Sequence, residues 1–234
     1  MGPALDTSSK EAAQVIPVLG FATVKRFDLA ERLMLSIDYP VEHLVIVDNS
    51  GTQNWIPPRV AMAKHQWNIQ VPKGLGLVGA WNLIVKSTPY TDQGDTPYWV
   101  LVNDDAWFEP GALAKIAEQA DRNALTFPDI VPDWSCIVLG DKVVEKAGLY
   151  DERFYPLYFD DNDYERRIDK KGIEIKRIDA KVHHENSSTL KSGFQEQNSV
   201  TFRANQTLFD QKVAENDYSE GNWSLQVRRS NRWD

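Results

Sequence analysis

Short apolar runs alternate along this chain with segments of helical periodicity, and that alternation constrains the fold more than any other feature. "VIPVLGFAT" (15–23), "HLVIVDNSG" (43–51), "WNIQV" (67–71), "YWVLVNDD" (98–105), "SCIVLG" (135–140) and "IEIKRID" (173–179) read as strands. Between them, "FDLAERLMLSI" (27–37) sets Leu29, Leu33 and Ile37 at helical spacing, and "GLVGAWNLIVKS" (76–87) follows a glycine loop. Pro110 opens "GALAKIAEQA", "DKVVEKAG" closes at Gly148, and "FDDNDYERRIDKKG" (159–172) closes at Gly172. Strands that alternate with helices predict an α/β fold with a largely parallel sheet covered on both faces. Ligands of such sheets bind beyond the carboxyl ends of the strands. Asp48, Asn103, Asp104 and Asp105 all fall at such ends.

The length of 234 residues fits one such domain, over 15–192, between a short flexible tail (1–14) and a C-terminal segment (193–234). In that last segment 194–217 reads as a helix packed on the outside, followed by an arm. A net charge of −8 argues against a generic binder of nucleic-acid backbone. It leaves nucleotides open, because a metal ion can bridge an acidic protein and an anionic ligand. The single Cys136 excludes an internal disulfide framework and a multi-cysteine zinc site, and points to a reducing, cytoplasmic setting. No apolar run approaches the ~18 residues of a membrane span, and the N-terminus lacks a basic-then-apolar signal pattern.

Gly74, Gly76 and Gly79 spell G-x-G-x-x-G before a helix, as in a dinucleotide site. The supporting acid should end the next strand about 20 residues on. Asp92 and Asp95 near that distance lie in a polar loop, so the glycines read instead as a place of close backbone approach. The adjacent Asp104 and Asp105 repel unless a cation or proton is shared. They either hold Mg²⁺ or Mn²⁺ with ligand phosphate oxygens, or cap the turn into "EPGALAKI". A second acidic group, Asp160, Asp161 and Asp163, follows the aromatic run "YPLYF". A cap accounts for one or two of these acids more easily than for three, and a carboxylate beside apolar rings is suited to act as a base. Asp163 reads as structural, paired with Arg166 or Arg167. His183 and His184 follow the last strand: one completes a metal site, or they simply end a strand, one in and one out. Asp48 forms a plain Asx turn or meets a nucleotide base or ribose.

These pieces occur in an order that resembles the GT-A glycosyltransferases of family two, the inverting group that uses nucleotide-sugar donors. The resemblance covers roughly residues 15 to 190 and rests on five segments: "LSIDYPVEHLVIVDNSGT", "KGLGLVGAWN", "YWVLVNDDAWFEPGAL", "EKAGLYDERFYPLYFDDNDYERRIDKKGIEIKRI" and "VHHENSST". It implies a GT-A fold and a mostly parallel central sheet with helices on both faces. It implies that Thr23, Arg26, Asp48, Lys73, Asn82, Asn103 and Asp104 bind the donor. Asp105 and His184 would hold Mn²⁺ or Mg²⁺, and Asp161, with Asp160 as second choice, would be the general base. Trp134 and Tyr158 would meet the acceptor. The implied donor is a UDP- or dTDP-sugar, and the implied acceptor a glycan, lipid-linked sugar or protein.

The sequence departs from the family pattern at three points. The first strand ends Thr23-Val24-Lys25-Arg26 where the family commonly has T-Y-N-R, so base stacking by a tyrosine is lost. The D-x-D segment begins with the neutral Asn103, and the E-D pair is Asp160-Asp161. Two other classes compete. A nucleotidyltransferase would want a basic, glycine-rich loop near residue 20, where "LGFATVKR" is thin. A non-catalytic nucleotide-sugar-binding module would not need Asp105, Asp161 and His184 together. The C-terminal arm, with Trp223 and Trp233 sparsely set among Arg228, Arg229 and Arg232, leaves three alternatives open: contact with a membrane surface, with a second subunit in an oligomer, or with nothing.

Overall fold

The computed structural model describes residues 15–51, 54–72, 74–91, 96–185 and 195–219. Lys73, the loop with Asp92 and Asp95, the tail 1–14 and the arm from residue 220 lie outside the described residues.

In chain order the elements are β1 (Ile16–Thr23), α1 (Phe27–Leu35), β2 (Val41–Asp48), β3 (Ala63–Gln70), α2 (Gly76–Thr91), β4 (Tyr98–Asn103), β5 (Ala106–Phe108), α3 (Ala112–Gln119) and β6 (Ala124–Asp129). A short 3-10 turn, Asp133–Ser135, leads into β7 (Cys136–Gly140), α4 (Asp141–Ala147), α5 (Asp160–Lys170), β8 (Glu174–His184) and α6 (Gln195–Ala214). The sheet order is β3-β2-β1-β4-β7-β6-β8-β5. The half β3-β2-β1-β4 is parallel throughout, as the alternation predicts. The other half is mixed: β7 runs antiparallel between β4 and β6, and β5 pairs antiparallel with the end of β8. Two strands were invisible to patterning. β5 is three residues long, and β6 carries Pro128 beside a register shift, where a proline removes a ladder hydrogen bond.

Alternating side chains send two cores to opposite faces of the sheet. On one face Ile16, Leu19, Phe21, Leu44, Ile46, Val100 and Val102 pack under α1 and α3 through Leu33, Leu113 and Ile116. On the other, Val18, Val45, Val47, Trp99 and Leu101 pack under α2, α4 and α5 through Trp81, Ile84, Val144, Tyr164 and Ile168. Burial on both faces is why these strands read as continuous apolar runs. The parallel strands therefore all deliver their carboxyl ends to one rim. No helix among the described residues is long and apolar enough to cross a membrane.

Candidate active site

The rim is set by register. Thr23 at the end of β1 lies opposite Asp48 at the end of β2, and Ala22 lies opposite Asn103 at the end of β4. Three buried polar atoms at these ends, Thr23 Oγ1, Asp48 Oδ2 and Asn103 Oδ1, have no hydrogen-bond partner among the described residues. Atoms of this kind also occur elsewhere among the described residues, at Trp81, Tyr98, Thr126 and Tyr150 for example, and what sets these three apart is their place at adjacent carboxyl ends of parallel strands, where ligands of such sheets bind. The other oxygen of Asp48 accepts the Ser50 N–H at 3.0 Å. Both readings of Asp48 thus hold at once: one oxygen makes the Asx turn and the other faces the rim.

Asp104 follows, partly buried. Burial pushes its carboxyl up to about 7, the Asp105 charge adds to the shift, and the Thr23 hydroxyl and Arg26 guanidinium pull the other way. The Thr23 hydroxyl sits near enough to favour the carboxylate. Arg26 spends its own guanidinium on Asp28, at 2.9 and 2.7 Å, and stands at the rim as half of that pair.

Asp105 and His184 meet where β5 pairs with β8. Ala106 is opposite His184, and Asp105 Oδ1 stands 2.8 Å from His184 Nε2, both side chains nearly buried. His183 points the other way, stacked on Trp107 and 2.9 Å from Glu109 Oε1. Strand alternation thus selects His184 as the imidazole that faces Asp105. An octahedral ion with ligands at about 2.1 Å needs adjacent donors about 3 Å apart, which this pair matches. The donor set of one carboxylate and one imidazole suits Mn²⁺ or Mg²⁺ with the remaining positions filled by water and phosphate oxygens. No group of three or more His, Cys, Asp or Glu poised for a metal occurs among the described residues. Arg32 of α1, not singled out from sequence, braces this corner: it donates to Glu185 Oε2 at 2.8 Å and lies 3.9 Å over the Trp107 ring. The Glu185 N–H in turn donates to the Asp105 carbonyl at 2.9 Å.

The glycine loop acquires its reason here. Gly76 has φ +72°, and a Cβ there would meet the Pro156 carbonyl oxygen at 2.8 Å. The Leu77 N–H donates to that same oxygen at 2.8 Å. Asn49, missed in the sequence reading, clamps the loop from the other side. Its carbonyl accepts the Leu75 N–H at 2.6 Å and its amide donates to the Gly76 carbonyl at 3.1 Å. The G-x-G-x-x-G is therefore a packing motif that seats the turn at residues 155–156. Asn82 of α2 holds a neighbouring segment: its buried amide donates to the Tyr150 carbonyl and Glu152, and accepts the Tyr150 N–H. These bonds tie Asn82 to the segment leading to α5.

The second acidic group lies at the start of α5. Its N-cap is Phe159 at φ +64°, with no side-chain cap, so neither Asp160 nor Asp161 is the cap that the sequence allowed. Tyr158 before it has φ +79°. Two consecutive non-glycine residues in this region cost about 1–3 kcal/mol each, and such strain concentrates at functional turns. Asp160 is buried. Burial and the Asp161 charge push its carboxyl up to about 7, with Asp163 adding to the rise. Asp161 is partly exposed, and its Oδ1 accepts the Asn162 N–H at 2.8 Å. Asp163 is fully buried and structural, 3.1 Å from Arg167 Nε. Trp134 packs edge-on against Phe127, Tyr150 and Tyr164, and Tyr158 packs edge-on against Phe202 of α6.

No family model matches the chain, and no curated protein does. Solved structures do. The chain is similar to the mannosyltransferase PcManGT from Pyrobaculum calidifontis in complex with GDP-Man and Mn²⁺, at 15% identity and TM-score 0.53, over 74% of this chain and 57% of that one. The fold is GT-A. It is shared with GalNAc-T7 bound to UDP, GalNAc and Mn²⁺, at 9% identity and TM-score 0.54, over 74% of this chain and 44% of that one. It is shared also with S. aureus TarS 1-349 in complex with UDP-GlcNAc, at 13% identity and TM-score 0.50, over 75% of this chain and 60% of that one. This GT-A chain thus spans between 44% and 60% of the length of those three.

Proposed function

We propose that this chain is an inverting glycosyltransferase that moves a sugar from a nucleoside diphosphate sugar to an acceptor hydroxyl. The observation that carries the reading is the rim itself. The polar side chains of Thr23, Asp48 and Asn103 at adjacent strand ends stand in sequence with an Asp105–His184 pair spaced for a divalent cation. The structures of similar fold hold GDP-Man with Mn²⁺, UDP with Mn²⁺, and UDP-GlcNAc, which supports a donor of that class.

In this reading Thr23 and Asp48 receive the nucleoside, with Arg26 at the edge, and Asn103 and Asp104 receive ribose and diphosphate. Lys73 belongs to the same donor group as an expectation from the sequence. Asp105 and His184 would hold Mn²⁺ or Mg²⁺, which when bound offsets charge on the leaving diphosphate. Asp161 accepts the proton of the acceptor hydroxyl. The freed oxygen forms a bond to the anomeric carbon from the face opposite the diphosphate, whose bond to that carbon breaks, and the centre inverts. Asp160 lies buried beside the base, while Tyr158 and Trp134 flank the acceptor side. The acceptor class, a glycan, lipid-linked sugar or protein, is set by that side.

The test is a panel of UDP-, dTDP- and GDP-sugars, with a nicotinamide dinucleotide as comparison, screened by thermal shift with and without Mn²⁺. A donor at 100 times its dissociation constant adds about 2.7 kcal/mol of stability. Stabilisation by one nucleotide sugar that requires metal is expected. Stabilisation by a dinucleotide alone, or by no nucleotide, would sink the reading.

A further inference from the structure

α6 docks in an unusual way. A surface helix normally buries an apolar stripe. Over residues 200–214 of α6 the only buried side chains are Asn205 and Lys212. Both are polar, and both reach the segment that leads into α5. Asn205 donates its amide to the Leu157 carbonyl at 2.8 Å and lies 3.4 Å from the Tyr158 carbonyl. Lys212 Nζ stands 2.7 Å from Asp151 Oδ2 and 2.8 Å from Asp163 Oδ1, and donates to the Ser219 carbonyl at 2.7 Å.

The residues 202, 205, 209 and 212 recur at helical spacing and so share one face. Phe202 and Phe209 interleave with the polar pair and pack on Phe159 with ring centroids 5.0 and 5.6 Å apart. Phe202 also meets Tyr158 at 5.3 Å. The contacts of this face thus gather on the left-handed pair Tyr158–Phe159, on Leu157 just before it and on the acids that bracket it, with Phe154 and Ser219 beside Lys212 and Arg166 beside Phe209. Backbone strain of that kind persists only where the surroundings over-determine it. The ammonium of Lys212 also offsets two buried carboxylates, one just before the turn and one in the first turn of α5. Although burial pushes the Asp151 carboxyl up, Arg153 and Lys212 together hold it below its ordinary value.

We propose that α6 is a clasp belonging to the catalytic unit, and that Lys212 and Asn205 are positioning residues. They hold the strained turn, and through it set where Asp161 stands relative to the donor rim. This rests on the reading of Asp161 as the base. Neither residue touches the rim strands, so donor binding is separable from base placement.

The experiment compares wild type, K212M, K212R and N205A in the full chain. Hydrogen exchange of the amides of residues 157–163 is measured beside that of β1, β2 and β4. Turnover of UDP-glucose, UDP-GlcNAc, dTDP-glucose and GDP-mannose with Mn²⁺ is followed by nucleoside diphosphate release, with UDP and GDP affinity measured separately. K212M is expected to raise exchange at 157–163 at least ten-fold with the three strands unchanged. It should lower kcat at least ten-fold while nucleotide affinity stays within two-fold. N205A should shift both in the same direction by a smaller factor, and K212R should restore most of the loss. If K212M does not fold, N205A alone carries the comparison. Unchanged exchange at 157–163 in a folded variant, or an unchanged kcat beside altered exchange, would overturn the clasp. Wild type inactive on every donor would instead overturn the proposed reaction, and exchange at 157–163 would still decide whether α6 holds the turn.

Discussion

His184 Nε2 lies 2.8 Å from Asp105 Oδ1, across a β-pairing that joins residues 79 positions apart in the chain. Neither residue has this partner by local structure. The β5–β8 register alone brings them together, and it fixes which of two adjacent histidines takes part. D105A is expected to abolish the Mn²⁺-dependent part of nucleotide-sugar stabilisation, and H184A to weaken it. Isothermal titration of UDP or GDP with and without Mn²⁺ measures both. Metal-dependent affinity that survives D105A would remove this pair from the metal site.

The base assignment makes a kinetic prediction. D161N keeps size and polarity and removes the proton acceptor, so kcat is expected to fall about 10²- to 10⁴-fold. Nucleotide affinity should hold, because the residues proposed to meet the donor lie at the ends of β1, β2 and β4 and Asp161 lies at the start of α5. D160N tests the second choice: if its kcat falls as far while D161N retains turnover, the two roles exchange.

Asp160 also predicts a pH dependence of stability. Its ordinary value is 3.8 and its folded carboxyl is pushed up to about 7 by burial and by Asp161 and Asp163, beside the Tyr150 ring. The folded protein therefore keeps a proton that the unfolded chain releases first. Stability is fully present below the unfolded value and is lost as pH rises toward about 7, at up to about 1.4 kcal/mol per pH unit. D160N removes that slope. Urea unfolding of wild type and D160N across this window should show the variant gaining relative stability as pH rises. Parallel curves would contradict the burial argument.

Gly76 supplies a stability prediction with no catalytic assumption. G76A places a Cβ 2.8 Å from the Pro156 carbonyl oxygen at a φ of +72°. It is expected to destabilise by about 1–3 kcal/mol, read from the urea midpoint. G79A is the comparison, since its added Cβ would meet only the Leu75 side chain at 3.1 Å and Glu152 near 3.9 Å.

Much of the molecule was legible in advance, and the reasons are local. Continuous apolar strands and amphipathic helices follow from burial on two faces and on one, which leave different periodicities in sequence. The polar residues that end β1, β2 and β4 stood out because they interrupt buried runs. Asn49, Arg32, Asn205 and Lys212 left no such signal. An asparagine in a turn, an arginine on a helix and a lysine near a chain end are ordinary there. What distinguishes them is a partner 26 to 153 residues away. Asn82 was legible as a special residue but not as to its task, since a buried amide can face a ligand or a backbone with the same local sequence.

The sequence by itself determined the alternation of six of the strands with the helices, the two-faced core and the acidic residues at the strand ends, because each depends on side-chain type at fixed local spacing. Tertiary structure decided which half of the sheet turns antiparallel, that His184 rather than His183 meets Asp105, that the glycine loop seats a turn, and that α6 grips the approach to Asp161. Those outcomes depend on contacts between distant segments, which form only once the sheet has set the distance and direction between them.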